Sequence, residues 1–279
     1  MSGLFMPLSD TEPNVKRVNI KDLQAAKSAG IPWPMLTAYD ATTAKLFDDA
    51  GIPALLVGDS AAMVVYGYDS TIPVTVEELL PLVRAVVRGS RRALVIADLP
   101  FGTYQESPEQ ALATATKFIK DGSAHAVKLE GGEHVLPQVR ALVAAGIPVM
   151  GHLGLTPQSV NQFGGYKVQG RGDAGADILN DALALEAAGA FAIVLEVVPA
   201  ELAARIRNAV SIPIVGIGAG TEADAQVLVW QDLLGFSAGH HAKFVKKYAD
   251  FYPLATDAVT RWALDVEQGR YPDADHEYH

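Results

Sequence analysis

Short aliphatic and β-branched runs alternate along this chain with alanine- and leucine-rich segments whose apolar positions recur every three or four residues. The runs are Pro34–Tyr39, Ala54–Val57, Ala93–Ala97, Ala126–Leu129, Pro148–His152, Ala192–Leu195, Pro213–Ile217 and Gln226–Leu228. Each is nearly all apolar, as strands buried on both faces are. Between them, Thr42–Ala50, Val76–Arg88, Pro108–Asp121, His134–Ala145, Ile178–Ala188 and Pro199–Ala209 have the spacing of amphipathic helices. This alternation predicts a parallel α/β architecture, and eight βα units in 279 residues predict a closed (β/α)8 barrel as one domain over 1–279. An open doubly wound sheet would need a glycine-rich turn after its first strand, and Tyr39-Asp40-Ala41-Thr42 is not one.

Punctuation supports the pattern. Gly51, Gly89, Gly122, Gly146 and Gly189 follow helical segments where left-handed caps would release the chain, and "AGIP" recurs at 29–32, 50–53 and 145–148. Thr75 and Glu78 form a capping-box pair at the start of Val76–Arg88. A polar arm (about 1–17) and a charged, aromatic tail (about 267–279) flank the barrel, and the segment 152–172 is its one long insertion.

Composition narrows the partners. With 32 acidic against 22 basic side chains, a formal charge of −10 and no lysine or arginine run, nucleic acid and anionic membrane surfaces are poor partners. The absence of cysteine excludes disulfides, thiolate metal sites and cysteine nucleophiles, leaving oxygen and nitrogen as metal ligands. Nothing near Met1 has a basic start followed by an apolar core, and no stretch approaches about 18 uninterrupted apolar residues, so the expectation is a soluble, unexported, cytoplasmic protein.

Charges interrupt the apolar runs at their carboxyl ends: Asp59, Asp98, Lys128 with Glu130, His152 and Glu196. Barrel enzymes build their active sites on that rim. Acids and a lysine clustered there repel and are poorly solvated unless a positive ion sits among them, and the oxygen-rich set suits magnesium before zinc. Asp59, Asp98 and Glu130 come from strands two, three and four, close enough to share one ion or its waters. Glu196, from across the mouth, is placed to move a proton. Lys128 and Glu130, two apart, lie on one strand face. Lys128 is either a structural counter-charge or a clamp on an anionic substrate. Ser60 is either an oxyanion contact or a turn serine, and His152 either donates to a substrate oxygen or is satisfied by loop backbone. The glycine-rich 216–221 lacks a basic neighbour and reads as a tight turn as readily as an anion cradle. His240-His241 receives no function.

The blocks "MLTAYD" (35–40), "LLVGDSAAMVVYGYDSTIPVTVEE" (55–78), "RRALVIADLPFGTY" (91–104), "AVKLEGG" (126–132), "PVMGHLGLTPQS" (148–159), "GGYKVQGR" (164–171), "LEVVP" (195–199) and "VGIGAGTEADAQVLVWQDLLG" (215–235) resemble, in order and spacing, the ketopantoate hydroxymethyltransferase family. The resemblance implies a barrel of the phosphoenolpyruvate/pyruvate type. It implies transfer of a one-carbon unit from 5,10-methylenetetrahydrofolate to 3-methyl-2-oxobutanoate, giving 2-dehydropantoate and tetrahydrofolate, at the first step of pantothenate synthesis. By resemblance Asp59, Asp98 and Glu130 match magnesium-site acids. Ser60 and Lys128 match contacts to the 2-oxo acid, a site that also includes Asp59, Asp98 and His152, and Glu196 matches the proton acceptor. Deprotonating C3 is uphill unless a metal meets the enolate oxygen, with the lysine adding charge there. A last helix packed on a neighbouring subunit and a large homo-oligomer, a decamer in the family, are also implied. The competing readings are a carbon–carbon lyase or mutase on the same barrel, a Schiff-base aldolase using Lys128, and a barrel that only binds; the last should lack a rim acid, and none is lacking.

Overall fold

The structure, a computed structural model, describes residues 15–236 and 242–278, so most of the arm and His240-His241 lie outside the described residues. Within the stretch read as one domain, the chain forms two compact units, Met1–Val229 and Trp230–His279. The first holds eight strands: β1 (Trp33–Thr37), β2 (Ala54–Val57), β3 (Leu94–Asp98), β4 (Ala126–Lys128), β5 (Val149–Gly154), β6 (Ala192–Glu196), β7 (Ile214–Ile217) and β8 (Ala225–Leu228). Neighbours pair in parallel in sequence order, and β8 pairs with β1 to close the barrel. Each predicted strand is present with its ends shifted by at most two residues.

Alternation within the strands builds the interior. Trp33, Met35, Ala54, Leu56, Leu94, Ile96, Ala126, Met150, Ala192, Val194, Val215, Ala225 and Val227 form one buried cluster. These are the inward positions of a period of two. Leu23 and Ala26 of the helix Ile20–Ser28 join the cluster and plug the amino-terminal end of the barrel. That helix is not among the predicted ones, although "AGIP" at 29–32 marks its end. Its start is a capping box, in which Asn19 accepts from the Asp22 amide and the Asp22 carboxylate accepts from the Asn19 amide.

Two buried aspartates stitch this closed end. Asp48, in the helix Ala41–Asp49, accepts the amides of Arg91 (2.7 Å), Arg92 (3.1 Å) and Ala93 (2.6 Å) at the entry to β3. Asp224, before β8, accepts from the Ile214 amide (3.0 Å) and Arg207 Nε (2.7 Å) and pairs with Lys27 Nζ (3.0 Å).

Most helices between strands start within two residues of the predicted positions, including the Thr75–Glu78 capping box, but the helix predicted from Ile178 starts four residues earlier and runs Ala174–Ala187. Two of the glycine caps need correction. Gly51, Gly146 and Gly189 have positive φ as expected, but Gly89 and Gly122 do not. They are glycines because a Cβ would strike the Ala41 backbone at Gly89 and the Phe118 carbonyl at Gly122. The insertion extends β5 to Gly154, then makes a 3-10 turn at Pro157–Ser159 and a short helix at Val160–Phe163.

The second unit contains the helix Trp230–Leu234 and the 17-residue helix Phe251–Glu267, which has no buried residue. Phe236 packs edge-on to Trp230 (5.2 Å between centroids) and against Phe251 (5.4 Å). Among the described residues no helix is long and apolar enough to cross a membrane.

Candidate active site

The inward parity that fills the barrel continues to its carboxyl end. Asp98, Lys128, His152 and Glu196 lie two positions beyond Ile96, Ala126, Met150 and Val194, so they form the top interior layer. Asp59 follows β2, Glu130 follows β4, and register sets Asp98 beside Lys128. The structure therefore brings all the predicted rim residues to one mouth.

Their contacts form a chain of charge. Lys128 Nζ lies 2.9 Å from Asp98 Oδ1, 3.9 Å from Glu130 Oε1 and 3.3 Å from His152 Nδ1. His152 bridges the two sides, with Nδ1 3.2 Å from Glu130 Oε1 and Nε2 3.3 Å from Glu196 Oε2. The Asp59 amide donates to Asp98 Oδ2 at 3.1 Å. Side-chain exposure is 4% or less for Asp98, Lys128, Glu130 and His152 but 16% for Glu196, so Glu196 is the most accessible of the five.

Burial sets the protonation pattern. It raises the Asp59 carboxyl well above the ordinary range, and the charges of Asp98 and Glu130 raise it further. Burial raises Asp98 too, against the pull of Lys128. Burial opposes the Lys128 ammonium, but Asp98, Glu130 and Asp59 overcome this and hold its pKa above the usual lysine value. For Glu130 burial is outweighed by His152 and Lys128, and the carboxyl sits low. For His152 burial and Lys128 are outweighed by Glu130 and Glu196, which lift the imidazole to about 9.

Three residues organise the site without having been singled out in the sequence. The Gln158 side chain donates to Asp59 Oδ2 (3.0 Å) and the Leu99 carbonyl (2.9 Å), while its backbone amide donates to Glu130 Oε2 (3.0 Å). Tyr104 donates to Gln158 Oε1 at 2.8 Å and its hydroxyl accepts the Glu130 amide at 3.1 Å. The Tyr39 hydroxyl shares a 2.8 Å hydrogen bond with Ser60 Oγ, so Ser60 has a side-chain partner at the rim. Each occurs in a block that carries the family resemblance, but only tertiary contact shows what it holds.

The backbone at Glu196 is strained. Val197 has φ 49, a left-handed conformation that costs a β-branched residue roughly 1–3 kcal/mol. Neighbours pin it there: the Leu155 amide donates to the Glu196 carbonyl (2.8 Å), the Val197 amide to Ile217 (2.9 Å), and the Gln169 amide to the Val197 carbonyl (3.0 Å). The loop 216–221, in contrast, is a tight turn through Gly218 and Gly220 (φ 62 and 84), with the Gly220 carbonyl accepting from Gln226 at 2.8 Å.

The donor set is hard oxygen. Asp98 Oδ1 and Glu130 Oε1 are buried without an aligned hydrogen bond, and raised carboxyls at Asp59 and Asp98 call for added positive charge. Among the described residues no group of three or more histidine, aspartate or glutamate side chains has direct ligand geometry. The hard oxygen donors match magnesium in chemistry, but as placed they do not form a direct ligand set.

Comparisons with known proteins point to one family and one fold. A family model described as ketopantoate hydroxymethyltransferase matches residues 17–274. The 3-methyl-2-oxobutanoate hydroxymethyltransferase of Frankia alni is 63% identical over 272 residues, covering 98% of this chain and 90% of its own. That of Thermobifida fusca is 60% identical over 264 residues, covering 94% of each. Among solved structures, phosphonopyruvate hydrolase complexed with oxalate and Mg++ aligns with a TM-score of 0.61 at 16% identity, covering 94% of this chain and 92% of that one. A 2,3-dimethylmalate lyase, a PEP mutase/isocitrate lyase superfamily member, aligns at 0.56 and 18%, covering 93% and 91%. At these identities the structures show a shared barrel fold.

Proposed function

The chain belongs to the ketopantoate hydroxymethyltransferase family, and from that premise we propose how the residues of its barrel mouth divide the work. It is an enzyme that transfers a hydroxymethyl group to 3-methyl-2-oxobutanoate, forming 2-dehydropantoate at the first step of pantothenate synthesis. We assign 5,10-methylenetetrahydrofolate as the one-carbon donor and tetrahydrofolate as the second product.

The observation that carries the assignment of roles is the buried Lys128 ammonium beside Asp98, with the more accessible Glu196 reached through His152. The 2-oxo acid is an anion whose enolate places further negative charge on its 2-oxygen. Lys128 supplies a fixed positive charge for that oxygen, and Ser60 with Tyr39 offers hydroxyls at the rim. Asp59, Asp98 and Glu130 would hold the magnesium ion with its waters, and Asp59 and Asp98 would also border the substrate. When bound, the ion supplies Lewis-acid polarisation of the 2-oxo group. Glu196 accepts the C3 proton, and His152 holds its carboxylate in place. The new C–C bond then forms from C3 to the donor methylene carbon as that carbon's two bonds to folate nitrogens break. One water supplies the hydroxyl group, and the C3 proton taken by Glu196 together with the water's second proton goes to the two nitrogens, releasing tetrahydrofolate.

A Schiff base on Lys128 would need a neutral amine, and the three surrounding carboxylates oppose that. The helix Phe251–Glu267 exposes Leu254, Val259 and Trp262, which supports packing against another copy in a homo-oligomer, a decamer as in the family. Light scattering on the purified protein tests that assembly.

The mechanism is tested by deuterium exchange at C3 of 3-methyl-2-oxobutanoate, followed by NMR without folate. Exchange should require magnesium and stop with chelator. Metal-independent exchange, or none even with tetrahydrofolate present, overturns the assigned roles.

A further inference from the structure

The insertion after β5 crosses the mouth. Tyr166 lies in that loop, and its Oη approaches Met63 Sδ at 4.0 Å. Met63 belongs to the short helix Ala61–Val64 that follows β2. In the closed barrel β3 and β4 stand between β2 and β5, so the contact spans the carboxyl ends that carry Asp98, Lys128 and Glu130. The Tyr166 hydroxyl also lies in the field of Glu196, Asp59 and Glu130, which, after burial, raises its pKa. Yet the residue is 55% exposed, with Met63 at 41% and Phe101, from the loop after β3, at 46%.

An aromatic face open to solvent above a cluster of buried charges suits a planar ring arriving from outside. The 2-oxo acid is small, anionic and has no such ring, and its needs are met by the polar layer below. The donor carries a fused, uncharged heterocycle whose methylene carbon must be brought to C3 beside Glu196. Stacking on an aromatic side chain holds such rings without demanding hydrogen bonds from the wall, and a thioether adds a polarizable contact.

We infer that Tyr166, with Met63 beside it, is the stacking platform for the reduced pterin of the one-carbon donor. This rests on the folate-dependent reading above and adds a binding residue to it. Tyr166 is a donor-binding residue here and takes no part in the proton transfer.

Calorimetric titration of the full-length, magnesium-loaded protein with tetrahydrofolate, and separately with 3-methyl-2-oxobutanoate, tests the inference. Tyr166→Ala should weaken tetrahydrofolate about ten-fold, the loss expected for one stacked ring. It should leave the 2-oxo acid within about two-fold, since the platform lies above that subsite. Tyr166→Phe keeps the ring and should bind tetrahydrofolate within about three-fold of the native protein. Native affinity for tetrahydrofolate in Tyr166→Ala, or equal losses for both ligands, overturns the assignment. Failure of the folate-dependent reading looks different: the native protein would bind 3-methyl-2-oxobutanoate but not tetrahydrofolate.

Discussion

The two ends of the barrel use buried aspartates in opposite ways. At the amino-terminal end, Asp48 takes three backbone amides and Asp224 takes an amide, an arginine and a lysine. At the carboxyl end, Asp59 accepts one Gln158 amide, while Asp98 Oδ1 and Glu130 Oε1 take no backbone amide and share the Lys128 ammonium, with His152 Nδ1 also on Glu130. A satisfied buried carboxylate holds chain segments together, whereas an under-satisfied one stores free energy that an ion or substrate can release. The difference separates residues that maintain the barrel from residues that wait for a ligand.

The comparison is sharpest at Glu196. Glu196→Gln should reduce turnover by roughly 10²–10⁴-fold, the usual range for a lost general base, with melting unchanged. Near-normal steady-state rates in the folded variant would remove it as the proton acceptor. At the opposite end, Asp48→Ala leaves three amides without their acceptor and should cost about 3 kcal/mol by urea denaturation. Specific activity of the molecules that remain folded should be unchanged. A drop in activity without loss of stability would erase the division between the ends.

A conservative change at the mouth should act in the reverse direction. Asp59→Asn relieves a carboxyl that burial and its neighbours disfavour, and the amide oxygen still accepts from Gln158. Chelator-treated Asp59→Asn protein should be more stable than native by about 1 kcal/mol while binding magnesium more weakly. Equal or lower stability in thermal melts would show that the mouth is not strained by its acids.

An effect that appears only on acidification is expected at His125, just before β4. The Val95 amide donates to its Nδ1 at 3.0 Å, and burial with the nearby Arg17 charge lowers its pKa to about 4. A lowered histidine favours the native state fully above its unfolded pKa of about 6.5, and that contribution is lost as pH falls from there toward 4. Urea midpoints measured from pH 7 to pH 4 should fall less steeply for His125→Asn than for native protein.

Local pattern accounts for what was legible. Each strand is an apolar run, and a charge at the end of such a run lands on the rim, so the strands and Asp98, Lys128 and Glu196 could be read directly. What required the fold are residues whose meaning depends on distant partners. Asp48 looks like surface in "LFDDA", and its burial is decided by amides 43 to 45 positions away. Gln158 reaches Asp59 across 99 positions, and no spacing reveals that. Gly89 and Gly122 look like caps because backbone approach between elements leaves the same letter as a left-handed turn. Helix Phe251–Glu267 was missed as a segment because its apolar residues do not line a buried face.

Lys27 adds a question of timing. Its ammonium is held by the carbonyls of Arg207 and Ile212 and by the Asp224 carboxylate, the Ile212 contact lying 185 positions downstream. On the ribosome, at about 5–20 residues per second, that partner emerges roughly 10–40 s after the lysine. The ring cannot close until its last strands have been made, and during that interval the nascent chain presents open sheet edges to its surroundings.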